Sequence, residues 1–241
     1  MLKVIQVEAK LFLREGTSVV FAVLFPTILL LVLGAIPALR TPDPKFAGLR
    51  FIDGYAGTLV VITLAFLGLQ RLPAAVATYR ERGVLRRLGT TPMHPGKLLA
   101  AQLLVNLLAA VVSVVLVVGV GKAVFDIALP HSPFGFLAAV LLGAAALFAL
   151  GLVIAALAPT AKAAAGWATL AFMLIMFFGG AYLPRFLLPD VLNTIGQYLP
   201  PGVAALQDSW IGTAPSLLHL AIMTLIALLA GTVAAKTFRW E

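Results

Sequence analysis

Long apolar intervals separated by short polar segments dominate the pattern along this chain. A helix needs about 20 apolar residues to cross the hydrocarbon core of a bilayer, and charge-poor intervals of that size recur six times. The pattern therefore predicts an all-α membrane protein, with residues 1–241 forming one transmembrane domain. We predict its transmembrane helices at residues 18–39, 54–78, 98–121, 134–157, 163–184 and 215–236.

Residues 1–16 show helical periodicity of another kind. Apolar side chains recur on one face while the basic side chains occupy other positions, which is typical of a helix lying in the membrane interface. A cytosolic extension of the first transmembrane helix is the alternative. The apolar face consists of Leu2, Ile5, Ala9, Phe12 and Leu13.

Residues 79–96, between the second and third predicted spans, are the most polar and basic part of the chain. Arginines surround three apolar residues, Val84, Leu85 and Leu88, which share a helical face. Gly89 is a helix-ending residue, and prolines follow it. The embedded apolar face favours a short cytoplasmic helix that binds a protein partner over a solvated loop that only holds anionic lipid.

Residues 185–214 are too interrupted by proline and glycine to span a membrane and too apolar for a free loop. Short extracellular re-entrant helices before the sixth span fit this pattern best. The segment could narrow the exit of a pathway or serve as a structural lid, and the sequence leaves both interpretations open.

Composition agrees with a membrane protein and excludes other classes. Hydrophobic residues make up 62% of the chain and charged residues 11%, whereas soluble domains average about 25% charged residues. The net charge of +8 comes from basic residues that flank apolar spans, not from a continuous basic stripe, so nucleic acid is not an expected partner. With no cysteine and three scattered histidines, no metal site is expected.

The distribution of basic residues predicts the orientation. If the N-terminus lies inside, twelve of the 17 lysines and arginines fall on the inner side and five on the outer side. Membrane proteins retain basic loops in the cytoplasm. We therefore expect a multi-pass protein of the cell membrane with both termini in the cytoplasm.

Arg71 is the basic residue nearest the middle of a predicted span. About 18 residues, or roughly 27 Å of helix, separate it from Asp53. One interpretation is a boundary arginine whose long side chain reaches the polar interface. The other is a buried charge with a functional role.

Chemistry that would power transport is missing from the chain itself. No G-x-x-x-x-G-K-[ST] motif occurs, so ATP binding through a P-loop is excluded. The spans hold almost no ionisable residues, which ion-coupled carriers usually require. We expect neither an enzyme nor a bound cofactor, and an energised transporter built from this chain must use the energy of another subunit.

Two sets of residues form recognisable motifs. The first lies between the second and third predicted helices and consists of Arg80, Glu81, Gly83, Leu85, Leu88, Thr91 and Pro92; the second lies before the last and consists of Gly179-Gly180, Pro184, Pro189 and Tyr198-Leu199-Pro200. In order and spacing, the first set resembles E-R-E-x-G-T-L-E-x-L-x-x-T-P and the second resembles G-G-x-x-x-P…P…L-P. The permease subunits of type-2 ABC exporters, a family that includes drug-resistance permeases, carry these two motifs at the corresponding places.

The resemblance implies a complex of two permeases, identical or homologous, with two ATP-binding subunits that bind ATP and Mg²⁺. The N-terminal helix and the helix after the second span would receive the ATPase movement, as interfacial and coupling helices. This chain departs from the motif at Tyr79, Val84 and Arg86, which makes the loop more basic. The implied ATPase-coupling residues are Arg80, Glu81, Arg82, Gly83, Leu85, Arg87, Leu88, Thr91 and Pro92.

Smooth apolar spans favour a hydrophobic drug, antibiotic or lipid as the substrate. A cluster in the fifth span forms the candidate pathway, although ordinary helix packing also explains such a stripe. Two other functions remain open: an ion-coupled carrier or channel acting alone, and a non-transporting membrane scaffold or immunity protein. The candidate pathway residues are Phe172, Met173, Met176, Phe177 and Phe178.

Overall fold

The computed structural model describes residues 1–42, 48–89, 96–178, 180–182, 189–211 and 214–238. Those residues are helical with no strand, apart from one isolated bridge between Pro42 and Arg50. Six helices in the described part are long and apolar enough to cross a membrane, which confirms the predicted number. They are α2 (Gly16–Gly34), α3 (Phe51–Glu81), α5 (Gly96–Phe125), α6 (Pro133–Leu157), α7 (Ala161–Phe178) and α10 (Leu217–Thr237).

Among the described residues, four further α-helices and a 3₁₀ turn at Pro37–Leu39 lie outside these spans. Helix α1 (Leu2–Arg14) precedes the first span, and α4 (Val84–Gly89) follows the second. Helices α8 (Asp190–Tyr198) and α9 (Val203–Ile211) fall within the segment 185–214. The structure thus has helices in all three segments for which the sequence predicted them, although their placement relative to a membrane stays a prediction.

Helix α3 is the central helix of the bundle. In its most apolar stretch 78% of the residues are buried, against 17–50% in the other five spans. Close approach to α6 depends on two glycines, since a Cβ on Gly151 would lie 2.0 Å from the carbonyl oxygen of Gly68. Small residues of this kind let membrane helices pack with their backbones in contact.

The first two spans each contain a π-helical turn, at Val20–Leu24 and Phe66–Arg71. Pro26 and Pro73 follow these turns by two residues. Proline lacks an N–H group and its ring clashes with the carbonyl four residues earlier. A wider turn before each proline accommodates that clash while the helix continues.

Helix α9 is buried inside the bundle, where it packs against α3 and α6. Its Leu206 and Trp210 side chains are almost fully enclosed, and Trp210 meets the edge of Phe136 with ring centroids 5.2 Å apart. Helix α8 is more exposed, with Val191 largely on the surface. The proline- and glycine-rich segment therefore contributes core contacts that its interrupted pattern did not predict.

Helix α1 packs against α5, and only part of its apolar face takes part in this contact. Phe12 and Glu8 are buried, whereas Leu2 and Leu13 are about 70% exposed. Leu2 and Leu13 thus stay on the outside of the bundle, and the placement of the apolar face in the membrane interface stays a prediction.

A candidate coupling site at the basic end of the bundle

The end of the bundle where α1, Arg71 and α4 lie is called the basic end below. There α3 ends at Glu81 and α4 begins at Val84, so only Arg82 and Gly83 connect them. Gly83 adopts a left-handed conformation with φ of +66°, which glycine reaches without steric cost. This conformation explains why glycine occupies this position of the matched motif, since it turns the chain sharply from the central helix into α4.

Helix α4 separates its apolar and basic side chains as predicted. Leu85 is 1% exposed, and Val84 and Leu88 are half-buried against the core. Arg82 and Arg86 lie exposed on the other side, as does Arg87. A short helix is thus held by leucines while its arginines face outward. Thr91 and Pro92 lie outside the described residues.

Arg80 turns away from this surface and toward the end of α6. Its Nη1 donates to the carbonyl oxygens of Ala155 at 2.8 Å and Ala156 at 3.4 Å, and its Nη2 donates to that of Ala158. The last carbonyls of a helix have no partner within the helix and carry partial negative charge. The guanidinium group supplies hydrogen bonds and an opposite charge to this helix end.

Glu81 lies next to the beginning of α7. Its carboxylate accepts a hydrogen bond from the backbone N–H of Ala161. The Thr160 hydroxyl accepts another from the N–H of Ala163 at 3.0 Å. A carboxylate at a helix N-terminus is favourable because unpaired N–H groups there carry partial positive charge.

A buried polar network joins α1, α3 and α5 at the same end. Arg71 donates to Asn106 at 2.8 Å and to Gln102 at 3.2 Å. Gln102 donates to the Glu8 carboxylate at 2.6 Å, and the Tyr79 hydroxyl donates to the same carboxylate at 3.1 Å. Each of the three helices is therefore connected to the other two through hydrogen bonds, of which the Tyr79–Glu8 bond is partly buried and the others are buried.

Two further contacts hold Arg71 in this network. Its guanidinium lies 4.5 Å from the ring centre of Phe12, and its Nε lies 3.3 Å from the carboxylate of Glu15. With 4% of its side chain exposed, Arg71 is a buried charge, and the boundary-arginine interpretation is wrong. Burial raises the pKa of Glu8 above its ordinary value, against the lowering effects of the Tyr79 hydrogen bond and the Arg71 charge.

Sequence reasoning identified Arg71 but missed its partners. The sequence did contain a signal for two of these partners. Gln102 and Asn106 are four residues apart in an otherwise apolar helix, and they therefore lie on one face. Glu8 gave a weaker signal, since a single acid in an amphipathic helix is usually exposed.

The candidate pathway residues divide between a partly open cavity and the rest of the outer surface. Phe172 and Met176 line a cavity of about 600 Å³ between α2, α3 and α7, together with Phe21 and Phe66. The rings of Phe21 and Phe66 stack with centroids 5.8 Å apart, and both belong to the π-helical turns. Beyond the cavity, Met173 and Phe177 are exposed and Phe178 is half-buried against Phe177.

These features define a multi-pass, all-α membrane protein with a basic surface at one end and an aromatic cavity among its spans. Residues 2–205 match the model of the ABC-2 type transporter family, and the chain belongs to that family. The Bacillus subtilis (strain 168) protein YvfS, provisionally described as a transport permease, is 26% identical over 196 residues. The match covers 80% of this chain and 77% of YvfS.

Membership confirms the resemblance drawn from the two motifs. The family supplies membrane components of transporters and not the ATPase itself, and it typically pairs with an ATP-binding subunit. The chain is therefore a membrane transport component of the ABC-2 type.

Proposed function

We propose that this chain is the permease subunit of an ATP-driven exporter for a hydrophobic compound such as a drug, antibiotic or lipid. Two permeases, identical or homologous, form the pathway, and two separate subunits bind ATP and Mg²⁺. The absence of a P-loop and the scarcity of ionisable residues in the spans support an external source of energy.

The observation that carries the proposal is the position of α4. Its arginines are exposed, its Leu85 is buried, and it joins directly to the most enclosed helix of the bundle. A partner that pushes on α4 therefore acts on the central helix. The positive-inside rule places this end in the cytoplasm, where ATP is available.

The aromatic cavity supports a hydrophobic substrate. Its lining of Phe21, Phe66, Phe172 and Met176 offers large apolar surfaces, while Tyr55 and Gln70 supply a few polar groups. Such a mixture is typical of sites for small apolar molecules. The π-helical turns that carry Phe21 and Phe66 contribute to this lining, and such turns frequently occur at functional sites.

Copurification and ATP hydrolysis test the proposal. The chain, purified from its native membrane, should retain a P-loop ATPase whose hydrolysis rises when the cargo compound is added. An ion-coupled carrier would instead transport without that subunit. A static scaffold would retain a partner whose hydrolysis no compound stimulates.

A further inference from the structure

Both ends of α3 carry an arginine and a carboxylate that hold the turn between two neighbouring helices. At the end opposite the basic end, Arg50 donates to the carbonyl oxygens of Phe125 at 3.0 Å and Asp126 at 2.7 Å, where α5 ends. Asp53 accepts from Arg50 at 2.6 Å and from the N–H of Ala128 at 2.9 Å. This pair has a structural role, since it connects α3 to the α5–α6 turn.

Arg80 and Glu81 repeat the arrangement at the basic end, on the turn between α6 and α7 at residues 158–160. The arginine contacts the C-terminal end of α6 and the glutamate contacts the N-terminal end of α7. Each charge is opposite in sign to the helix end that it meets. Exchanging the two residues would place like charges together.

Packing gives a second and independent connection between the same elements. Ala77 of α3, Ala158 of the turn and Ala164 of α7 form a small cluster, each at most 2% exposed. Alanines let the three backbones approach closely. The turn is therefore held to α3 both by hydrogen bonds and by close packing.

We infer that Arg80 and Glu81 are positioning residues that hold the α6–α7 turn to α3, while the exposed arginines of α4 and of the turn that precedes it, including Arg82 and Arg86, bind the ATP-binding subunit. The second half rests on the proposed function. In consequence, a push on α4 moves the ends of α3, α6 and α7 together. Arg80 and Glu81 transmit that movement through their hydrogen bonds to the ends of α6 and α7.

The first test measures distances in the full chain without its partner. Because the sequence contains no cysteine, label attachment is confined to Arg86→Cys and Lys162→Cys. Mixing the spin-labelled chain with an excess of unlabelled chain removes distances between copies, so that the labels report the separation of α4 from the start of α7. The double variant Arg80→Gln/Glu81→Ala should broaden this distance distribution and move it to longer values. Arg82→Ala is the matched control and should leave it unchanged. An unchanged distribution in the double variant would overturn the positioning role.

The second test uses the complex with the ATP-binding subunit. Arg80→Gln/Glu81→Ala should keep the subunit bound but lower substrate-stimulated hydrolysis by about tenfold, the scale of losing a hydrogen bond to a charged group. The single variant Glu81→Gln keeps an acceptor oxygen for the N–H of Ala161, and it should keep most of the hydrolysis that the double variant loses. Arg82→Ala/Arg86→Ala should release the subunit.

The outcomes separate the inference from the proposed function. If Arg80→Gln/Glu81→Ala releases the ATP-binding subunit while the spin-label distances stay as in the wild type, both residues are docking residues and the inference is overturned. If the wild-type chain retains no ATP-binding subunit, the proposed function fails together with the docking half. The spin-label distances then still show whether Arg80 and Glu81 hold the α6–α7 turn to α3.

Discussion

The close contact between α3 and α6 predicts the effect of a single added methyl group. In Gly151→Ala the new Cβ would lie 2.0 Å from the carbonyl oxygen of Gly68, where real Cβ contacts stay above 3.0 Å. The two backbones must therefore separate by at least about 1 Å. The obstacle is a backbone atom, so no side-chain rotation relieves it.

A second close contact, between Gly68 and Leu147, makes it harder for α3 and α6 to move apart without losing packing. A Cβ on Gly68 would itself lie 2.9 Å from Leu147 of α6, so the helices are in contact on both sides of the glycine pair. Overpacking of this kind costs about 1–3 kcal/mol. For a chain of this size, each kcal/mol lowers the melting temperature by about 2–4 °C.

Thermal unfolding of the detergent-purified protein measures the effect, with Gly166→Ala as the matched control. Gly166 also lies within a helix, but a Cβ there would meet nothing within 4 Å. We expect Gly151→Ala to melt several degrees below the wild type, whereas the melting temperature of Gly166→Ala should not be lower than that of the wild type. Equal melting temperatures for the two variants would refute the reasoning that the backbones of α3 and α6 are in contact.

Three other predictions concern the network and the cavity. Because burial raises the pKa of Glu8 above 4.5, its contribution to stability is greatest below that pH and is lost as pH rises through the folded value. The melting temperature of Glu8→Gln relative to wild type should therefore rise as the pH increases above 4.5, and a constant difference would contradict this. Arg71→Met removes the hydrogen bonds to Gln102 and Asn106 and the favourable charge near Glu8, which costs about 1.5–3 kcal/mol per hydrogen bond to a charged group; adding Glu8→Gln should recover part of the loss in thermal unfolding, and strictly additive losses would argue against the network. Phe172→Ala removes a cavity wall and should weaken substrate-stimulated ATP hydrolysis, while Met173→Ala, on the outer surface, should not; equal effects would place the substrate elsewhere.

The sequence was sufficient for those parts of the fold that local pattern determines. Six spans follow from the length of apolar intervals, and the division of α4 into buried leucines and exposed arginines follows from helical periodicity. Both depend only on residues that are near one another in the chain.

Features that depend on distant residues could not be predicted in the same way. Arg80 belongs to the basic segment by sequence, yet it turns inward because α6 ends beside it. Glu8 is buried because Gln102 and Tyr79 offer it hydrogen bonds from other helices. Neither partner is visible in the local periodicity of α1 or of residues 79–96.

The central claim is that this permease moves its cargo only when a separate subunit hydrolyses ATP. Its most direct test is transport of a lipophilic fluorescent compound in proteoliposomes that contain the chain with or without the ATP-binding subunit. The account predicts ATP-dependent transport by the complex and none by the chain alone. Transport by the chain alone, at the rate of the complex and without ATP, would contradict it.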